Sequence, residues 1–332
     1  MRLANGRHGT APTGRTKAKE RHGLTPDGAG FSCCLIGPGR LGSALLRALT
    51  QAGLTVAAVG VRDADRAVAS PPRLPIPDAV RAAAQAAPGR PLLLWLTVPD
   101  DAIPTVAQRA AAAIRASEGS VAVHCSGLSS LDALEPLRRA GFAVLSLHPL
   151  QTFAAAGDVP LVGVPFAVTA TDPQTERVGM SLAEQLGGRP FALPDEAKPL
   201  YHLSATMACN LLVALESEAA GLMHEATGAD GLAILGPLMR TTLANLLADG
   251  PAHALTGPIA RGDVGTVRTH LELLEHRASR HATAYRALSL EALRLAAPRL
   301  DDDAVRTLRE LLRSSPSRRS APRRTTADPG PT

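Results

Sequence analysis

The chain has 332 residues, 45% of them hydrophobic and only 2% aromatic, which gives it the length of about two domains with cores built from Ala, Leu and Val. Its formal charge of +5 sits at the ends, on Arg2, Arg7, Arg15, Lys17, Lys19 and Arg21 and on Arg318, Arg319, Arg323 and Arg324. The body between them is near neutral and argues against a nucleic-acid surface.

Cys33, Cys34, Cys125 and Cys209 show neither disulfide nor zinc-ligand spacing, so no metal is expected. No apolar signal-peptide core follows the basic start, and no apolar stretch approaches the roughly 18 residues of a membrane span. The expectation is a soluble, cytoplasmic protein without a membrane partner.

In chain order, residues 1–29 lack periodicity and read as a disordered basic tail. From Phe31 short apolar runs alternate with helical ones, the pattern of a parallel sheet. Strands are expected at Phe31–Ile36, Val56–Val61, Leu92–Val98, Val121–His124, Ala143–Leu147, Phe166–Thr169 and Phe191–Leu193. Residues 30–194 therefore read as an α/β, doubly wound, mainly parallel Rossmann domain. Beyond Pro194 the pattern is helical, with Asp195–Thr227 as the first helix and Gly228, Gly250-Pro251 and Pro298 as breakers. Residues 195–313 form the expected all-helical domain, and 314–332 a Ser/Pro/Arg-rich tail.

Cys33-Cys34-Leu35-Ile36 leads into Gly37-Pro38-Gly39-Arg40-Leu41-Gly42, and a helix follows. A G-x-G-x-x-G string is weak by itself, but between a buried strand and a helix start it is the phosphate-binding turn of a dinucleotide fold. Gly37 permits the tight turn, Gly39 lets a pyrophosphate approach, and Gly42 lets the helix pack. The helix N-terminus offers N–H groups to the phosphates. At the end of the second strand, where NAD-binding folds usually carry an acid, stands Arg62, which suits the 2′-phosphate of NADP. NADP (as NADPH) is thus expected ahead of NAD, although Asp63 follows one step later. Thr97, Val98 and Pro99 end the fourth element on the cofactor side; Asp100 or Asp101 also suits a helix cap.

Three polar clusters end successive elements: His124-Cys125-Ser126-Gly127, His148-Pro149-Leu150-Gln151-Thr152-Phe153, and Lys198-Pro199-Leu200-Tyr201-His202, continuing to Asn210. Lys198 and His202 are four apart and share a helix face. A desolvated lysine or a histidine suits proton transfer near neutral pH, and both remain candidates. In Leu255–Asp263, Arg261 either clamps a substrate carboxylate or pairs with Asp263.

Together these strings resemble one family, the Rossmann-like oxidoreductases with a C-terminal helical domain of unknown function, relatives of the 6-phosphogluconate and β-hydroxyacid dehydrogenases. His-Pro-Leu-Gln-Thr-Phe and Thr-Gly-Pro-Ile-Ala-Arg-Gly-Asp are the specific parts. The resemblance implies a nicotinamide-dependent oxidoreductase that dimerises through its helical domain. Lys198 matches the lysine of β-hydroxyacid dehydrogenases and ketopantoate reductase, but His202 stands where Asn is expected. His148 is similar to the prephenate dehydrogenase histidine, and the helical domain is similar to that of pyrroline-5-carboxylate reductase.

The leading expectation is hydride transfer between NADPH and a small 2-oxo or 3-oxo acid, ketopantoate-like acids included. Lys198, His202 and His148 form the catalytic group, and Ser126, Gly127, Gln151, Asn210 and Arg261 hold substrate. The alternatives are an imine reductase of the pyrroline-carboxylate type and a non-catalytic NADP-binding regulator.

Overall fold

The computed structural model describes residues 30–62, 70–153, 159–276 and 279–314. Asp63 and the two expected tails, apart from Ser314, lie outside them. The chain divides into two compact units, one running through Asn210 and the other starting at Leu211.

The first unit alternates strands and helices. In order these are β1 (Ser32–Ile36), α1 (Arg40–Gln51), β2 (Val56–Val61), β3 (Arg73–Pro75), α2 (Ile76–Ala86), β4 (Leu92–Leu96) and α3 (Ile103–Ala111). There follow β5 (Val121–His124), α4 (Glu135–Arg139), β6 (Ala143–Pro149), β7 (Pro165–Ala170), α5 (Pro173–Gln185), β8 (Arg189–Ala192) and α6 (Lys198–Thr206). The sheet order is β3-β2-β1-β4-β5-β6-β7-β8, parallel except where β6 meets β7. The doubly wound, mainly parallel sheet is as the sequence predicts, with β3 added as a short edge strand.

Both faces of the sheet are covered, which is why β1 and β4 are continuous apolar runs rather than alternating ones. On one face Leu35, Trp95 and Val123 pack with Leu45 and Leu49 of α1 and Leu182 of α5. On the other, Ile36, Leu94 and Ala122 meet Val80 of α2 and Ile103 and Val106 of α3. Each such leucine or isoleucine stabilises the fold by roughly 1.5–3 kcal/mol. β6 runs past the expected Leu147 because β7 pairs with it to the end, with His148 opposite Ala167 and Pro149 opposite Phe166. His148 therefore sits in a strand, not in a loop.

The helix expected over Asp195–Thr227 is interrupted. A π-helical turn at Met207–Leu211 separates α6 from α7 (Leu212–Thr227). The expected domain break after Pro194 is also displaced, to Asn210. The physical reason is Lys198, whose side chain is anchored in the sheet and carries α6 with it.

The second unit is helical: α7, α8 (Gly231–Ala254), α9 (Val264–His276), α10 (Ser279–Ala296) and α11 (Asp302–Arg313). Asp230 and Asp301 cap the starts of α8 and α11 with their carboxylates, and Gly228 ends α7 in the left-handed region, at φ 72°. Val267, Leu271, Leu293 and Leu308 form the core of this unit. In α8, however, only Gly231 is buried. The helix is long and apolar enough, by length and composition, to cross a membrane, which corrects the expectation that no such stretch exists. Pro237, Arg240 and a break at Gly250 interrupt it.

Candidate functional site

The glycine turn lies between β1 and α1, where the strand order reverses between β1 and β4, the place at which such sheets leave a ligand crevice. Gly37 has φ 94°, and its N–H donates to the Gly60 carbonyl at the end of β2 (3.0 Å). A Cβ on Gly37 would lie 2.7 Å from Val98 Cγ1, and one on Gly42 only 2.2 Å from the Gly37 oxygen. Both glycines are thus required by packing. Gly39 differs: nothing lies within 4 Å of where its Cβ would stand, and no side chain caps α1.

Glycine suits this N-cap position in its own right, and the open space beside it is where a diphosphate would approach the backbone. Pro38, Arg40 and Leu41 complete this rim, and Arg62 is exposed just beyond β2. Thr97 braces the turn from below, its hydroxyl donating to the Ile36 and Gly37 carbonyls (3.1 and 2.7 Å); Val98 and Pro99 continue from it. The residues therefore fit a dinucleotide phosphate.

Further along the same sheet edge, the face that is apolar at Ala122 and Val144 turns polar at His124, Ser146 and His148, which strand alternation and pairing place together. Lys198, the first residue of α6, closes this patch and is 1% exposed. Its ammonium donates to the Ser126 carbonyl (3.0 Å) and the Ser146 hydroxyl (2.6 Å). Burial pushes its pKa down to about 8, with Asp195 and Asp100 partly restoring it.

Lys198 is the single lysine among the described residues, in a chain otherwise rich in arginine. A compact ammonium that reaches two acceptors in a buried slot is what arginine's broad fork cannot supply. Ser126 extends the network, its hydroxyl donating to Asp100 Oδ2 (2.7 Å). Asp100 makes no cap bond, so the capping alternative gives way to this contact. His124 Nδ1 accepts from the Ser126 N–H (3.2 Å), so its proton resides on Nε2, which is buried without a partner among the described residues. Burial, then Lys198 and His148, hold its pKa near 3.

His148 bonds Tyr201, Nδ1 to hydroxyl, at 2.6 Å. The rings meet edge to face, 5.5 Å between centroids. The opposite edge of the imidazole lies over Gly127, where a Cβ would come within 3.0 Å of Cε1 and Nε2. Burial, Lys198 and His202 lower the His148 pKa to about 4, and burial raises that of Tyr201 to about 12.

His148 also lines a pocket of about 580 Å³ with Gln151, Thr152, His202, Thr206, Cys209 and Asn210 among its walls. The π turn brings Cys209 and Asn210 to this wall although a regular helix would turn Asn210 away from Lys198 and His202; π turns recur at functional sites for this reason.

The structure thus brings together His148, His202, Gln151 and Asn210. Lys198, Ser126 and Gly127 lie in the supporting network and not on the pocket wall. Arg261 belongs to the second unit, where its backbone N–H closes the Gly257–Asp263 turn. Arg261 makes no direct ion pair with Asp263 but helps hold its carboxyl low through its charge, after the Thr266 hydroxyl and N–H from which Asp263 accepts (2.6 and 3.0 Å). Sequence reasoning missed Tyr201, Ser146 and Asp100. The period-2 spacing of Ser146 and His148 was a usable signal, and so was the rarity of tyrosine, with two in the whole chain.

The sequence matches the family pattern "Rossmann-like domain" over residues 17–149 and "Domain of unknown function (DUF2520)" over residues 164–292. No curated protein matches it. Among solved structures, one from Bacteroides fragilis, provisionally named an NADP oxidoreductase, superposes with a TM-score of 0.61 at 22% identity, covering 81% of this chain and 99% of its own. A protein from Thermotoga maritima gives 0.59 at 23% identity, covering 80% and 98%. The pyrroline carboxylate reductase of Plasmodium falciparum, solved with NADP bound, gives 0.53 at 9% identity, covering 85% and 98%. These likenesses establish a shared fold. The chain is thus similar to a Rossmann-like domain over residues 17–149 and to the DUF2520 domain over residues 164–292.

Proposed function

We propose that the protein is an NADPH-dependent reductase of a small compound with a C=O or C=N bond. The observation that carries this reading is a continuous run of contacts along one sheet edge. It links the glycine turn to Thr97, then Asp100 to Ser126, and Ser126 and Gly127 to Lys198 and His148. Gly37, Pro38, Gly39, Arg40, Leu41 and Gly42 would hold the pyrophosphate, Arg62 the 2′-phosphate, and Thr97, Val98 and Pro99 the nicotinamide ribose. When bound, that cofactor supplies the hydride.

The chain's own residues do the rest. His148 meets the substrate heteroatom and handles its proton, while His202, Gln151 and Asn210 orient the substrate. Lys198 ties the ends of β5 and β6 to α6 and keeps His148 neutral by its charge. That the Bacteroides and Plasmodium proteins carry NADP in their descriptions supports the cofactor choice. Among the described residues, the walls of the His148 pocket contain no Lys or Arg, which favours an uncharged carbonyl or an imine over a carboxylate-bearing substrate of the ketopantoate kind.

The test follows NADPH absorbance with three panels: cyclic imines, uncharged ketones and 2-oxo acids. Turnover is expected with one of the first two. Turnover confined to 2-oxo acids would overturn the substrate assignment, and tight NADPH binding with no turnover in any panel would favour a regulator.

We also propose that the second unit pairs with another copy of the chain. Leu232, Ile234, Leu238, Leu243, Leu246 and Leu247 of α8 are exposed, on a helix with only two Asp, Glu, Lys or Arg residues, Arg240 and Asp249. Such a surface needs a cover. Sedimentation should show a dimer; a monomer that floats with lipid vesicles would contradict it.

A further inference from the structure

The chain has two tyrosines, and each meets a histidine Nδ1 through its hydroxyl: Tyr201 with His148 at 2.6 Å, and Tyr285 with His270 at 2.9 Å. The surroundings separate them. The second pair borders walls that are mostly apolar, formed by Leu222, Ala226, Leu273 and Leu274 with Glu225. The first stands where the sheet face turns polar, with His148 on the pocket wall and Lys198 and His124 nearby.

We propose that Tyr201 is a positioning residue that fixes the tautomer of His148, donating to Nδ1 so that the ring proton stays on Nε2 as the hydrogen-bond donor to the substrate. A phenol is a stronger donor than acceptor, and the in-plane lone pair of a neutral imidazole nitrogen is its natural acceptor. The imidazole is held neutral because burial removes water from it, and the nearby Lys198 and then His202 further disfavour its charged form. Gly127 packs against the edge that carries Nε2, and any larger residue there would displace the ring.

The consequence for chemistry rests on the reductase reading above. With a reduced nicotinamide bound to supply the hydride, the C=O or C=N π pair would move onto oxygen or nitrogen, which would take the Nε2 proton. Nδ1 then takes the phenol proton; for the next turnover Nε2 takes a proton from solvent as Nδ1 returns its own to the Tyr201 oxygen, which restores both groups. Neither residue needs a charged resting state, which suits a site already holding a buried lysine.

Long-range 1H–15N correlation on full-length protein labelled at histidine reads the tautomer directly, with the His148 resonances identified by their loss in His148→Asn. His148 is expected to be the Nε2-protonated form at neutral pH. Tyr201→Phe should give a mixture of tautomers and raise the His148 pKa, while Tyr285→Phe leaves His148 unchanged. An Nδ1-protonated His148 in the native protein, or a Tyr201→Phe spectrum identical to it, would overturn the proposal. With a substrate in hand, Tyr201→Phe should lower kcat by about tenfold or more at unaltered NADPH affinity, as expected when acid catalysis is impaired; an unchanged kcat would also overturn it. The tautomer readout needs no substrate, so failure of the reductase reading shows separately, as an absence of turnover by the native protein.

Discussion

The two units break the usual partition of residues in opposite directions. The first buries Lys198, Ser126, Ser146 and His124 together beside the C-terminal ends of β5 and β6. The second leaves Leu238 63% and Leu247 79% exposed on α8. Exposed leucines taken singly, or polar groups at a surface, would carry no information. Concentrated as they are, the first set marks chemistry and the second a missing neighbour. Each departure is costly alone, because a buried charge loses hydration and an uncovered apolar helix orders water. Each is expected only where something compensates.

Substitutions that separate the two units sharpen the contrast. The largest effect is expected from Gly42→Ala, whose methyl would fall 2.2 Å from the Gly37 carbonyl oxygen. Backbone cannot yield as a side chain does, so urea denaturation should show a loss of at least about 3 kcal/mol in the first unit. Lys198→Arg should follow. The larger, permanently charged fork has no room between Ser126 and Ser146, and a loss of about 2–3 kcal/mol is expected by the same measurement. Retained stability would mean the slot is not closed.

Acid should act next, chiefly through the buried histidines of the first unit. His148 and His124 have folded pKa values lowered to about 4 and about 3, so the unfolded chain binds the extra protons. Their stabilisation is complete above about pH 6.5 and is lost as pH falls through 4 and then 3. For His148 the loss amounts to about 2–3 kcal/mol between pH 6.5 and 4. Denaturation midpoints across that range should fall steeply in the native protein and less steeply in His148→Asn, where His124 still titrates; equal slopes would remove His148 from the buried network. The smallest effect on stability belongs to Leu238→Glu with Leu247→Glu, within about 0.5 kcal/mol each because both sites face outward. The same pair should convert a dimer to monomer in sedimentation, and a surviving dimer would place the interface elsewhere.

Local pattern made most of the fold legible. The β2 and β5 boundaries follow from apolar runs between breakers, and the glycine turn follows from its place between strand and helix. What pattern could not show was decided by partners distant in sequence. β6 extends to Pro149 because β7 pairs with it. Likewise, α6 belongs with the sheet because Lys198 reaches across to Ser126 and Ser146. The site was legible as three clusters but not as a geometry. Helical spacing put Lys198 and His202 on one face, yet Lys198 is anchored inward while His202 joins His148 and Asn210 at the pocket. Tyr201 stood unnoticed within its own motif, since nothing local indicates that its hydroxyl meets a residue on β6.

The central claim, that the glycine turn is shaped for a dinucleotide phosphate, turns on Gly39. Its added methyl would meet nothing within 4 Å in the protein itself, so Gly39→Ala should cost no more than about 1 kcal/mol of stability, the difference between glycine and alanine at a helix N-cap. NADPH titration followed by cofactor fluorescence should nevertheless show affinity reduced at least about tenfold, since roughly 1.4 kcal/mol of lost phosphate contact suffices. Native affinity in a normally folded Gly39→Ala protein would contradict the claim.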